Sequence, residues 1–61
     1  MSTAQIRKAL IAAFGPRKYR ITRRGEIHVY NKMPNTNKPG WWFFGWLGDA
    51  DTEARICDLR S

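Results

Sequence analysis

Residues 18–30 read KYRITRRGEIHVY, and the arrangement of two strands can be inferred from their pattern. Apolar and polar side chains alternate on both sides of a glycine-containing turn: Tyr19 and Ile21 point one way before it, and Ile27 and Val29 point the same way after it. Alternation with a period of two is typical of a strand with one buried face. The stretch therefore predicts two strands joined as a β-hairpin.

The buried residues of the two strands determine the register of this hairpin. Residues directly opposite each other in an antiparallel pair share a face, so the buried residues must oppose each other. A two-residue turn would mix the faces, whereas a three-residue loop at 23–25 sets Ile21 against Ile27 and Tyr19 against Val29. This loop also places its glycine at the left-handed position that such loops require. We therefore predict the three-residue loop.

The predicted register gives the hairpin a cationic outer face with aromatic rings in it. The expected cross-strand pairs are Lys18 with Tyr30, Arg20 with His28, and Thr22 with Glu26, and the tip carries Arg23 and Arg24. A solvated face normally mixes charges of both signs. A one-sided face of this kind is instead typical of a protein that binds a polyanion.

The segment before the hairpin has the pattern of an amphipathic helix. Ser2 and Gln5 are spaced as in a capping box, in which the two side chains bind backbone N–H groups of the first turn. An apolar stripe recurs at helical spacing at Ile6, Leu10, Ala13 and Phe14. Gly15 followed by Pro16 is a stop signal. We predict a helix from Thr3 to Phe14.

After the hairpin, a loop and a third strand are expected. Residues 31–40, NKMPNTNKPG, are typical of loops, and they add Lys32 and Lys38 without an acid. A ten-residue connection is long for a hairpin, and long ordered loops are often functional. Residues 41–47, WWFFGWL, have the composition of a strand but do not alternate, because both faces are large and apolar.

The C-terminal segment is compatible with two structures. Asp49 or Asp51 can cap a short helix that runs to about Leu59, with acids in its first turn and Arg60 in its last. Alternation at 55–59 is also compatible with a fourth strand. We favour the helix.

The length and composition of the chain limit the possible folds and indicate the cellular compartment. A chain of 61 residues is too short for two cores, so residues 1–61 form a single small domain. The one cysteine excludes an intramolecular disulfide, which suits a reducing cytoplasm. No segment reaches the ~18–20 apolar residues of a membrane span, and the N-terminus does not read as a signal peptide. We predict a cytoplasmic protein of α+β fold, in which an N-terminal helix packs on a three-stranded antiparallel sheet (α-β-β-β) and a short C-terminal helix follows.

The positive charge lies in the first two-thirds of the chain. The net charge is +6, but residues 1–40 carry nine basic side chains against one acid, and residues 41–61 carry two against four. The first part is therefore +8 and the second −2. A basic domain with clustered lysine and arginine is expected to attract nucleic acid.

No residue pattern points to catalysis, a metal or a cofactor. We interpret His28 as an ordinary surface histidine and Cys57 as a small apolar core residue, because a nucleophile needs a base and a group that orients the base. The acids at 49, 51 and 53 match no calcium loop, and their position at a helix start accounts for them. We expect a non-enzymatic protein with no cofactor, no small-molecule substrate and no membrane partner.

Three interpretations of the aromatic strand remain open. Both of its faces could be covered by helices, so that all its rings belong to the core. One face could be a platform on which unpaired bases stack. That face could also be an interface with a second copy or another protein, as large exposed apolar patches often are. The position of the final helix distinguishes these interpretations, because a helix that covers the second face leaves no exposed rings on which bases could stack.

Residues 20–41 resemble short open reading frames of phages and prophages. The likeness lies in the segments 24–30 (RGEIHVY), 33–37 (MPNTN) and 40–41 (GW). It implies the roles that phages assign to small basic proteins, which are binding of DNA or RNA and binding of a host enzyme. It assigns no site residues.

Our leading hypothesis is a nucleic-acid-binding protein. The residues expected to hold phosphates are Lys18, Arg20, Arg23, Arg24, Lys32 and Lys38. The residues expected to stack on bases are Tyr30, Trp41 and Phe43. The alternatives are an interaction module or inhibitor that docks its aromatic strand on an acidic host protein, and a homodimer whose aromatic faces pack together.

Overall fold

The computed structural model describes residues 1–33 and 35–59, which form two helices and one three-stranded sheet. In chain order the elements are α1 (Thr3–Phe14), β1 (Tyr19–Ile21), β2 (Glu26–Lys32), β3 (Pro39–Trp46) and α2 (Ala50–Leu59). The strands are antiparallel and lie in the order β1-β2-β3. This architecture confirms the α+β fold predicted from the sequence.

Helix α1 has the bounds and caps that its sequence predicts. The backbone N–H of Gln5 donates to Ser2 Oγ at 3.2 Å, and the backbone N–H of Ser2 donates to Gln5 Oε1 at 2.9 Å. Gly15 ends the helix with a φ of 117°, and its N–H donates to the carbonyl of Ile11 at 2.9 Å. Four backbone groups at the helix ends are thus satisfied locally, which is why the helix could be predicted.

The hairpin of β1 and β2 has the predicted register. Tyr19 pairs with Val29, Arg20 with His28 and Ile21 with Ile27. Gly25 has a φ of 94°, a conformation that favours glycine, so the three-residue loop at 23–25 is confirmed.

Both helices pack on one face of the sheet, which we call the inner face. The core on this face consists of Ile6, Ala9, Leu10, Ile27, Val29, Phe44 and Ile56. Ala9 is buried and Ala13 is exposed, so the predicted apolar stripe was wrong at Ala13. Ile56 of α2 is fully buried in the same cluster as Leu10 of α1, so α2 shares the inner face with α1.

The connection between β2 and β3 is shorter than the predicted loop of residues 31–40. Asn31 pairs with Gly40 and Lys32 with Pro39, so only residues 33–38 lie between the strands. Strands pair through their backbone N–H and C=O groups, so residues whose side chains are typical of loops can still form a strand. Pro39 is tolerated because it is the first residue of a strand at the edge of the sheet.

The final segment forms a helix, and the fourth strand that we considered does not form. Of the two candidate caps, Asp49 precedes α2, whereas Asp51 lies within it. Asp51 and Glu53 occupy the first turn, as the helix dipole favours. Arg60, expected in the last turn, lies outside the described residues. Neither helix in the described part of the chain is long and apolar enough to cross a membrane.

Candidate nucleic-acid interface

The sheet has a second face that neither helix covers, and we call it the outer face. The register places on it Lys18, Arg20, Thr22, Glu26, His28, Tyr30, Lys32, Pro39, Trp41, Phe43 and Trp46. Trp41, Phe43 and Trp46 are 46%, 44% and 45% exposed. The interpretation that places all the rings of β3 in the core is therefore wrong, because α2 packs on the inner face.

A β-bulge in β3 brings Trp46 to the outer face. Phe43 is opposite His28 and Gly45 is opposite Ile27, so Phe44 is an extra residue between them. Strict alternation from Phe43 would direct Trp46 to the inner face. The extra residue shifts the alternation by one, which is what a bulge does to side chains beyond it.

Thr52 of α2 supports the strand just beyond this bulge. Its Oγ1 accepts a hydrogen bond from the backbone N–H of Trp46 at 3.1 Å and donates one to Asp49 Oδ2 at 3.3 Å. A Cβ on Gly45 would clash with Thr52 Oγ1 and lie 2.8 Å from Thr52 Cγ2. Glycine at position 45 thus lets the helix approach the strand closely enough to make these bonds.

The rings of the outer face contact one another edge to face. Ring centroids are 5.6 Å apart for Tyr30 and Trp41, 5.7 Å for His28 and Phe43, and 5.6 Å for Phe43 and Trp46. Such T-shaped contacts stabilise a pair by about 0.5–1.5 kcal/mol beyond the burial of its area. The neighbouring rings therefore support one another although large parts of them remain exposed.

Two cations from β1 and its flank lie over these rings. Lys18 Nζ is 4.5 Å from the ring centroid of Tyr30, and Arg20 Cζ is 5.2 Å from that of Trp41. Because β1 and β3 are two inter-strand spacings apart, about 10 Å, the side chain of Arg20 crosses β2 to reach Trp41. Cation–π attraction holds both charges above the aromatic surface.

These cations have no carboxylate within ion-pair distance in the described part of the chain. Within residues 1–33 and 35–59, no lysine or arginine side chain lies within 4.0 Å of a carboxylate oxygen. In this part of the chain, the N-terminal amine pairs with Glu53 at 3.0 Å, and His28 Nε2 lies 3.9 Å from Glu26 Oε2. The acids of α2 therefore do not neutralise the outer face, whose positive charge is available to an external anion.

The structure brings together some of the predicted site residues and not others. Four of them form one contact group, and these are Lys18, Arg20, Tyr30 and Trp41. Lys32 lies on the same face at the end of β2. Arg23 and Arg24 are exposed at the hairpin tip, and Lys38 is exposed in the 33–38 connection. The last three border the face and make no ring contact with it among the described residues.

Sequence reasoning missed Trp46 and the ring contact of His28. The available signal was Gly45, because an isolated glycine inside a strand suggests a bulge. His28 was interpreted only as a surface histidine, yet its ring packs edge to face on Phe43.

Other candidate chemistry finds no support in the described residues. Among them, no group of three His, Cys, Asp or Glu residues could hold a metal ion. Cys57 is exposed on α2, so its interpretation as a core residue was wrong.

Comparison of the chain with protein-family models, with curated proteins and with solved structures gives no match.

Proposed function

We propose that this is a non-enzymatic, cytoplasmic protein that binds single-stranded nucleic acid on the outer face of its sheet. The observation that carries the proposal is that exposed aromatic rings and cations without a carboxylate partner occupy one uncovered surface. Trp41, Phe43 and Trp46 supply the rings, and Lys18 and Arg20 supply the charges nearest to them.

Exposed rings on an uncovered sheet face favour unpaired bases over a duplex. Each base in a duplex has its faces covered by its neighbours, whereas an unpaired base can stack on an aromatic side chain. Such a stack contributes about 1–3 kcal/mol per base and tolerates any sequence. Trp41, Phe43 and Trp46 follow one another along β3 and so offer a row of stacking positions.

The cations lie next to the stacking rings. Lys18 Nζ lies over the ring of Tyr30 on β2, and the guanidinium of Arg20 lies over the ring of Trp41 on β3. A strand whose bases stack along β3 would therefore have cations within reach of its phosphates. Arg23 and Arg24 at the tip and Lys38 in the connection extend the positive surface at its borders.

The proposal is tested by fluorescence anisotropy with labelled oligonucleotides. A single strand of about twelve nucleotides, within the usual site sizes, is compared with a duplex and with an abasic strand of equal length. We expect the single strand to bind most tightly and the abasic strand to bind less tightly, because only the former can stack. The logarithm of the affinity should fall with log salt, with a slope of about −0.7 per phosphate contact. Absence of binding at low salt, or a salt-independent affinity, would contradict the proposal.

The exposure of three large aromatic residues also favours a second candidate, a protein interface formed by the same surface. Tryptophan and other aromatics are enriched in such interfaces, and a contiguous apolar patch often marks one. In one form, the faces of two copies pack together; in the other, an acidic protein docks there. Size-exclusion chromatography at two concentrations detects the homodimer. Capture of one protein together with weak, non-saturating binding of oligonucleotides would favour the acidic partner.

A further inference from the structure

We propose that Glu26 makes the outer face prefer guanine, a specificity that rests on the proposed binding of single strands. Of the eleven residues that the register places on this face, Glu26 is the only acid. An acid reduces the affinity of a surface for phosphate, and the contacts of Glu26 within the protein are a long hydrogen bond from Thr22 and a 3.9 Å approach of His28. Direct contact with a base is a further role that the geometry supports.

Glu26 lies beside a stacking position. It is the cross-strand partner of Trp46, which the bulge brings to the outer face. Residues that oppose each other in an antiparallel pair have their Cβ atoms about 5 Å apart. A base that stacks on the ring of Trp46 therefore has its edge within reach of the Glu26 carboxylate.

The carboxylate retains hydrogen-bonding capacity. Its Oε1 accepts a long hydrogen bond from Thr22 Oγ1 at 3.5 Å, and its Oε2 is 3.9 Å from His28 Nε2, beyond hydrogen-bond distance. The side chain is 29% exposed. Because an ionised carboxylate has roughly four acceptor positions, further donors can be accommodated. The backbone N–H of Glu26 donates to Thr22 Oγ1 at 3.1 Å, which fixes the residue in place.

Guanine is the base whose donors match this group. Its ring N–H and exocyclic amino group are adjacent, so one carboxylate can accept from both at once. Adenine and cytosine offer an amino group beside an acceptor nitrogen, and thymine and uracil offer one N–H between two carbonyls. A bidentate contact of this kind discriminates between bases by about 5- to 150-fold.

The test measures the affinities of oligothymidine strands that carry one variable central nucleotide. The variable nucleotide is guanosine, inosine, adenosine, cytidine or thymidine, and inosine is guanosine without the amino group. We expect the unmodified protein to bind the guanosine strand at least about 5-fold more tightly than the other four. In E26Q, whose amide has one acceptor oxygen, the guanosine strand should bind no better than the all-thymidine strand. D51N, which removes an equal charge from α2, should keep the preference.

The outcomes separate this inference from the proposed function. Equal affinities for guanosine, inosine and thymidine strands in the unmodified protein overturn the role of Glu26 and leave single-strand binding in place. Retention of the guanosine preference in E26Q also overturns it. Failure of the all-thymidine strand to bind at low salt overturns both proposals. The inosine comparison uses the unmodified protein and therefore does not depend on how well E26Q folds.

Discussion

The side chain of Thr52 on α2 accepts a hydrogen bond from the backbone N–H of Trp46 on β3, at 3.1 Å. Thr52 is only 2% exposed, and the same hydroxyl donates to Asp49. The helix on the inner face thus satisfies the N–H of a residue whose ring lies on the outer face. This hydrogen bond connects the packing of the domain to the shape of the surface that we propose binds nucleic acid.

Thr52→Val should lower the free energy of unfolding by about 1–3 kcal/mol, because it leaves the Trp46 N–H without its acceptor at little change in side-chain volume. Thr52→Ser, which keeps the hydroxyl, should cost less. Urea titration followed by tryptophan fluorescence measures both. Thr3→Val, at an exposed position in α1, is the control and should change stability by less than about 0.5 kcal/mol. Equal stability of T52V and the unmodified protein would show that the hydrogen bond contributes nothing.

A side chain at position 45 should be poorly tolerated. Gly45→Ala directs a Cβ into Thr52, whose own Cβ is 3.0 Å away, and overpacking of this kind costs about 1–3 kcal/mol. Gly40→Ala in the same strand is the matched control, because its Cβ meets the flexible thioether of Met33. G40A should change the free energy of unfolding by less than about 1 kcal/mol in either direction.

The double variant G45A/T52A tests whether the clash with Thr52 is the cause. Its loss of stability should be smaller than the sum of the two single losses, because removal of the Thr52 hydroxyl and methyl makes room for the new Cβ. If the losses in the free energy of unfolding are additive in thermal or urea denaturation, a clash with Thr52 is not the cause of the destabilisation by G45A.

The features of the fold that local sequence signals specify were predictable. The capping box and Gly15 set the bounds of α1, and the rule that buried residues oppose each other set the register of the hairpin. Both depend on residues close together in the chain. The exposure of the outer face was not predictable in this way, because no local sequence pattern shows which face of a sheet the helices cover.

The arrangement of β3 was not predictable from local signals. Residues 41–47 are apolar at nearly every position, so they contain no alternation from which to infer a face. The direction of Trp46 depends on the bulge. The bulge lies next to a hydrogen bond that the Trp46 N–H donates to Thr52 of α2, six residues further along the chain. The pairing of Asn31 with Gly40 was missed because loop-type residues can pair through their backbones.

Arg20→Gln should weaken the binding of single strands and reduce its salt dependence. If the guanidinium above Trp41 contacts one phosphate, its loss lowers the magnitude of the log–log salt slope by about 0.7. Arg7→Gln, on α1, removes the same charge from the other side of the molecule and serves as the control. The two variants have the same net charge, so an equal effect of both would mean that only overall charge matters and that Arg20 has no specific role.

Trp41→Ala and Trp46→Ala should each reduce the affinity for single strands by about 5- to 150-fold, the equivalent of one lost base stack. The two side chains are nearly half exposed, so the fold should tolerate their removal better than that of a core residue. Ile11→Ala, on α1, removes a comparably exposed apolar side chain and should leave binding unchanged. Binding of the abasic strand is the decisive second measurement: it should be nearly equal in all four proteins, because a backbone without bases cannot stack. A parallel loss of abasic binding in the tryptophan variants would indicate that these residues act through the shape of the sheet and not through stacking.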